Sequence, residues 1–280
     1  MKKFYSIVLV AFAMLAIGCD EEEKPTPGGD NDYSVVGTWL LHHDDDFETL
    51  ALKEEGIYDL TQSALYKEEG SYSYANNKLT ITPSKAWERD YVRDDVYGGP
   101  VLDEQGNFQY TDWVETEPRN SALTYPVKFI YSGDVMLTMF DEASEEQGEV
   151  WLPYVKQNAT HVSNISDIQG KWRWMNTRVI ININGDQGDV IISPWGERYT
   201  GTIRYEKGVI YFVDHIFRTT RYEDGEGGWE HLNEEDPENS DWRIPDGGGT
   251  FEGGPEIGFV VDGNVAFGGV ANLNARFEKE

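Results

Sequence analysis

Val36-Gly37-Thr38-Trp39 has an echo in Gln169-Gly170-Lys171-Trp172, with glycine and tryptophan at the same spacing. Each opens a run of short alternating strands. There a large indole can close one end of a β-barrel while glycine gives the backbone room to approach it. Two such openings predict two barrels, closed by Gly37 with Trp39 and by Gly170 with Trp172. The echo continues: Gly70, Tyr74, Asn77 and Leu79 have the spacing of Gly201, Tyr205, Gly208 and Ile210. Phe129, Gly133 and Val135 likewise match Phe259, Gly263 and Val265. The three sets are offset by 133, 131 and 130 residues, so only one or two residues are gained or lost between anchors. The chain reads as one β-module used twice.

Composition agrees. At 280 residues the chain has room for two domains that each bury a core. Aromatic residues at 13% and a count of 29 glycines suit short strands and tight turns better than helices. The expected class is all-β.

Residues 1–18 are a separate object. Lys2 and Lys3 precede an apolar core and then Ala16-Ile17-Gly18, the pattern of a secretory signal too short to span a membrane. Its end, before Cys19, resembles the lipobox of bacterial lipoproteins, although Ala16 stands where leucine is usual. The resemblance implies cleavage before Cys19 and acyl chains on that residue, which become the membrane contact. Cys19 is the only cysteine, so the folded part has neither a disulfide nor a thiolate metal site. Residues 19–32 run through Asp20-Glu21-Glu22-Glu23 into Pro25, Pro27, Gly28 and Gly29, too charged and too broken to fold. They read as a disordered tether. The four acids resemble the signal by which some Gram-negative bacteria send lipoproteins to the outer face of the outer membrane. In other lineages an aspartate directly after the cysteine means retention at the inner membrane. The formal charge of −28 excludes nucleic acid as an expected partner and repels anionic headgroups.

The first module, 33–158, carries eight strand signals, the usual number for a small up-and-down barrel. Glu55-Gly56, Asn76-Asn77 and Ser132-Gly133-Asp134 separate several of them as hairpin turns. Gly37-Thr38-Trp39, Glu54-Glu55-Gly56-Ile57-Tyr58, Gly70-Ser71-Tyr72 and Lys78-Leu79-Thr80-Ile81 together resemble the lipocalin-like domains of bacterial lipoproteins. The resemblance covers about the first fifty residues of each module well and the rest loosely. It implies two tandem lipocalin-like barrels, closed or half-open, with a cavity at one end, and it implies a fold more than an activity. The insertion 83–124, with Trp87 and Trp113, is where function tends to sit; the plainer reading is a flap whose aromatics cover the barrel mouth.

The second module, 166–280, offers nine strand signals for eight places, so 189–193 is expected to merge with a neighbour or form a bulge. Its acidic loop 223–255 occupies the same place in the repeat as 83–124. Trp229 and Trp242 are expected to sit near one another there, partly exposed, at the open end of the barrel. With Trp195, Trp87 and Trp113 they are the candidate ligand-binding residues, because an exposed indole can stack on a sugar ring or a flat apolar ligand.

Chemistry has fewer anchors. His42-His43 followed by three aspartates offers metal-ligand types, but neighbouring strand residues point to opposite faces, so a solvated turn is expected and no metal. No Gly-x-Ser-x-Gly elbow, zinc-protease, phosphate-loop or dinucleotide motif occurs, and no residue is marked as catalytic. The expectation is a non-enzymatic outer-membrane surface lipoprotein without a cofactor, binding a small apolar or glycan ligand at a barrel mouth. The second module is the favoured site. The competing expectation is a structural or interaction subunit of a surface complex, with both barrels filled. A cavity of some hundreds of cubic ångströms would favour capture.

Overall fold

A computed structural model describes residues 33–43, 46–94, 99–144, 148–174, 178–222, 231–246, 248–270 and 273–280. The signal sequence, Cys19, the tether and Trp229 lie outside them. Among the described residues the fold is all-β, and the only helical pieces are three single 3-10 turns.

The first sheet comprises β1 (Gly37–His43), β2 (Asp46–Leu52), β3 (Ile57–Gln62), β4 (Tyr66–Ala75), β5 (Lys78–Glu88), β6 (Val114–Thr116), β7 (Leu123–Ile130), β8 (Val135–Ser144) and β9 (Gly148–Lys156). All eight strands expected in the first module are present. They pair antiparallel in the ring β1-β2-β3-β4-β5-β7-β8-β9, and β9 returns to β1, so the barrel is closed. The short β6 lies outside the ring, on the end of β5.

The second sheet comprises β10 (Gly170–Trp174), β11 (Val179–Asn184), β12 (Gln187–Ile192), β13 (Glu197–Glu206), β14 (Val209–Thr219), β15 (Thr250–Glu252), β16 (Glu256–Gly258), β17 (Val260–Asp262), β18 (Val265–Val270) and β19 (Leu273–Lys279). It is an open sheet in the order β15-β14-β13-β12-β11-β10-β19-β18-β17. In the first barrel one strand, β7, pairs with β5 through its first half and with β8 through its second. In the second sheet the matching segment is divided: β16 pairs with β14, β17 pairs with β18, and Phe259 stands between them. The merging strand is also not the expected one. Residues 189–192 lie in an ordinary strand, β12, with Ser193 in the turn after it, whereas 209–213 and 217–219, which read in sequence as separate strands, lie in one strand, β14. The polar Asp214-His215 step that resembles a break is carried by a register shift at Thr202/Ile203, where Asp214 Oδ1 accepts the Thr202 N–H at 3.1 Å.

The tryptophans that open the modules do the same thing twice. Trp39 and Trp172 are fully buried, and each indole N–H donates to the carbonyl four residues back, Val35 at 2.7 Å and Ile168 at 2.8 Å. The glycines two positions earlier have φ of +149° and +102°, conformations open to glycine. Phe129 and Phe259 pack on the two indoles, and Lys156 and Lys279 lie over them. The cores above these plugs differ in size. Seventeen buried residues fill the second module's cluster and ten the first's.

A third apolar cluster joins the halves. Ile130, Val135, Leu137, Trp151 and Val155 of the first barrel pack with Val260 and Phe267 of the second sheet. Tyr131 donates its hydroxyl hydrogen to the Val261 carbonyl across the same seam. His42 faces Glu256 there at 3.8 Å, and burial lowers its pKa.

Candidate functional site

The first barrel is plugged at the Trp39 end and hollow at the other. A cavity of about 420 Å³ lies there, reached by Glu48 of β2, Gln62 at the end of β3 and Tyr66 at the start of β4. Leu41, Leu50, Leu60, Leu79, Ile81 and Leu152 form an aliphatic band on its wall, and Gln62, Asn120, Ser121 and Thr138 add polar groups. The band follows from strand alternation: residues two apart on a strand face the same side, and these leucines and isoleucines hold the inward register.

Two acids share that register. Glu48 is in line with Leu50 and Leu52 on β2, and Glu68 is in line with Tyr66 on β4. Glu68 is 8% exposed and both of its oxygens are held, by the Tyr58 hydroxyl at 2.8 Å and by the Tyr66 hydroxyl at 2.5 Å. Glu48 accepts from the Tyr154 hydroxyl at 2.5 Å through one oxygen only. Burial raises the Glu48 pKa and the nearby Glu68 adds to the rise, while the Tyr154 hydrogen bond opposes it. The same burial, with the charges and hydrogen bonds of the two acids, raises the phenols: Tyr66 is pushed up to about 12, and Tyr58 and Tyr154 rise further. Tyr125 also lines the cavity, and burial raises its pKa, with Glu48 and Glu68 contributing.

Arg119 spans the mouth. Its guanidinium donates to Glu88 Oε1 at 3.0 and 3.1 Å and to Gln62 Oε1 at 3.4 Å, while it stacks 4.1 Å from the Tyr66 ring centre. The second sheet contributes as well. Asn274 of β19 lines the cavity, and its Oδ1 is sealed from solvent with no hydrogen-bond partner.

The tryptophans singled out from sequence lie elsewhere. Lys67 points outward between the inward Tyr66 and Glu68, and its ammonium sits 4.9 Å from the Trp87 ring and 4.6 Å from the Trp113 ring. Arg89 continues this outer ladder over Trp113 and Tyr110. Cation and ring faces attract in this geometry, so these indoles are held on the barrel's outer wall. The segment 83–124 is also more regular than expected. Its first part extends β5 to Glu88, and the bridges Tyr91 to Tyr110, Arg93 to Pro100 and Leu102 to Phe108 make a narrow antiparallel flap. Trp195 packs against the second module's core. Trp242 is half-buried, its N–H given to the Pro237 carbonyl at 2.9 Å. None of the four lines the cavity. Trp229, the expected neighbour of Trp242, and Cys19 fall outside the described residues.

Glu48, Glu68 and Asn274 carried no motif. A signal did exist for the acids, since Glu48-Thr49-Leu50-Ala51-Leu52 places a carboxylate in phase with two core leucines. The strand signal read from alternation, Thr49 to Lys53, stops one residue short of it. Comparison with protein families, with curated proteins and with solved structures finds no match to this chain.

Proposed function

We propose that this chain is a lipid-anchored, outward-facing outer-membrane protein of two lipocalin-like modules, and that the first module captures a small, largely apolar ligand inside its barrel. The cavity carries this reading: about 420 Å³ falls in the range of small-molecule sites, and a band of leucines and isoleucines on its wall faces a set of convergent polar groups. The aliphatic band favours an apolar body over a sugar ring stacked on tryptophan. No step of chemistry is assigned to the site, and the proposed role is binding alone.

The test uses N-phenyl-1-naphthylamine, a neutral fluorophore that brightens in apolar surroundings. One equivalent should bind the full mature chain, and Leu60→Trp, which fills the cavity from its wall, should abolish binding while the thermal midpoint stays within a few degrees. Unchanged binding in a folded Leu60→Trp variant overturns the reading. The anchor is tested separately: Cys19→Ala should move the protein from the membrane to the soluble fraction, and continued membrane partitioning refutes lipidation.

The interaction reading is favoured for the second module by its filled interior, where Trp172, Phe212, Phe259 and Phe277 are buried together. The two roles are compatible, with one module capturing a ligand and the other facing a partner.

A further inference from the structure

We infer that the cavity of the first barrel selects organic cations, its ligand being a protonated amine on an apolar body, received by Glu48 together with Asn274 of the second module. The inference rests on the capture reading above and names the class of ligand.

The polar inventory of the cavity supports it. Glu68 is satisfied by two tyrosine hydroxyls, whereas Glu48 uses one oxygen for Tyr154 and its Oε2 has no partner among the described residues. Asn274 Oδ1 is a second acceptor without a partner, shielded from solvent on the cavity wall. An unsatisfied acceptor in such a place carries a desolvation penalty that a ligand's N–H group would remove. Among the described residues Arg119 is the only arginine lining the cavity, and its guanidinium is committed to Glu88 and Gln62 rather than to the interior acids. The Tyr125 hydroxyl can accept or donate and so suits an ammonium as well.

The alternatives fit less well. A carboxylate or phosphate head would face two acids in a low-dielectric interior, where like charges repel strongly. A metal ion needs several ligands, and among the described residues no group of three or more His, Cys, Asp and Glu is placed to hold one. An aliphatic amine meets both requirements: its N–H donors reach the free acceptors through charge-assisted bonds, and its chain covers the leucines. The strongly negative surface would also draw cations toward the mouth.

The experiment compares n-octylamine, octan-1-ol and octanoate as competitors of N-phenyl-1-naphthylamine on the full mature chain at pH near 8. The amine should bind at least about tenfold tighter than either of the others, equivalent to about 1.4 kcal/mol. In Glu48→Gln that margin should shrink to within about threefold, roughly 0.7 kcal/mol. Asn274→Leu should narrow it in the same direction. Glu55→Gln, which removes a charge from the exposed turn at the plugged end, should retain it. If octan-1-ol or octanoate binds as tightly as the amine, or if Glu48→Gln keeps the full margin, the selection for cations is wrong while apolar capture stands. If none of the four compounds binds, both readings fall.

Discussion

Glu48 is a carboxylate in a row of leucines, and its environment decides its behaviour. Among the described residues, Glu68, Tyr154 and Tyr125 are coupled to it, and Tyr66 and Arg119 line the same cavity. Burial raises its pKa and Glu68 reinforces the rise, so the folded protein holds this proton to a higher pH than the unfolded chain does. The folded state therefore binds more protons than the unfolded one between the ordinary carboxylate value and the raised one, and stability falls as pH rises through that window. Glu48→Gln removes the charge and keeps an acceptor for Tyr154. The thermal midpoint of the variant minus that of the parent should therefore climb as pH rises from about 4, near the ordinary carboxylate value, through the raised one. A difference that stays flat over that range would mean that Glu48 titrates as it does in water.

The element scale shows the duplication most clearly, in the longest hairpin of each half. β4 and β5 turn at Asn76-Asn77 with φ of 53° and 56°, and β13 and β14 turn at Lys207-Gly208 with φ of 49° and 79°. Each hairpin shifts register once, and each carries a glycine near the shift, Gly70 and Gly201. A Cβ on Gly70 would lie 2.2 Å from the Thr82 carbonyl oxygen, and one on Gly201 would lie 2.0 Å from the Asp214 carbonyl oxygen. The obstruction is backbone, so a side chain cannot swing away from it. Gly70→Ala and Gly201→Ala should each lose about 1–3 kcal/mol in urea unfolding. Gly249→Ala, with open space around the position, should change stability by less than about 0.5 kcal/mol. Equal tolerance at all three sites would refute the close approach as the reason for glycine.

At the scale of the whole molecule, the seam between the halves turns two modules into one object. Phe267 is 2% exposed and belongs to the cluster that buries residues of both halves. The Tyr131 to Val261 hydrogen bond crosses the same seam, and Asn274 reaches from the second sheet to the first barrel's cavity. Calorimetry of the parent should therefore show one cooperative transition. Phe267→Ala should remove about 3–5 kcal/mol and divide the transition in two. If the first barrel's midpoint is unmoved in that variant, the seam contributes nothing to it.

The sequence by itself determined the all-β class, the eight strands of the first barrel and the paired plugs. These features are local: a strand announces itself by alternation within six or seven residues, and an indole that bonds four residues back needs only its own segment. It also marked Gly70 and Gly201 as equivalents through the near-constant offset of the repeats. Only the tertiary structure decided that the first sheet closes while the second stays open, because that turns on whether one continuous strand passes from one neighbour to the other, as β7 does, or is divided, as at Phe259. The site, too, belonged to the tertiary structure. Lys67 and Arg89 hold Trp87 and Trp113 on the outer wall. The hollow is made where Glu48, Glu68, Tyr154 and Asn274 converge from four strands of two sheets. No window of neighbouring residues contains that meeting, because strand pairing brings together side chains as much as 226 positions apart.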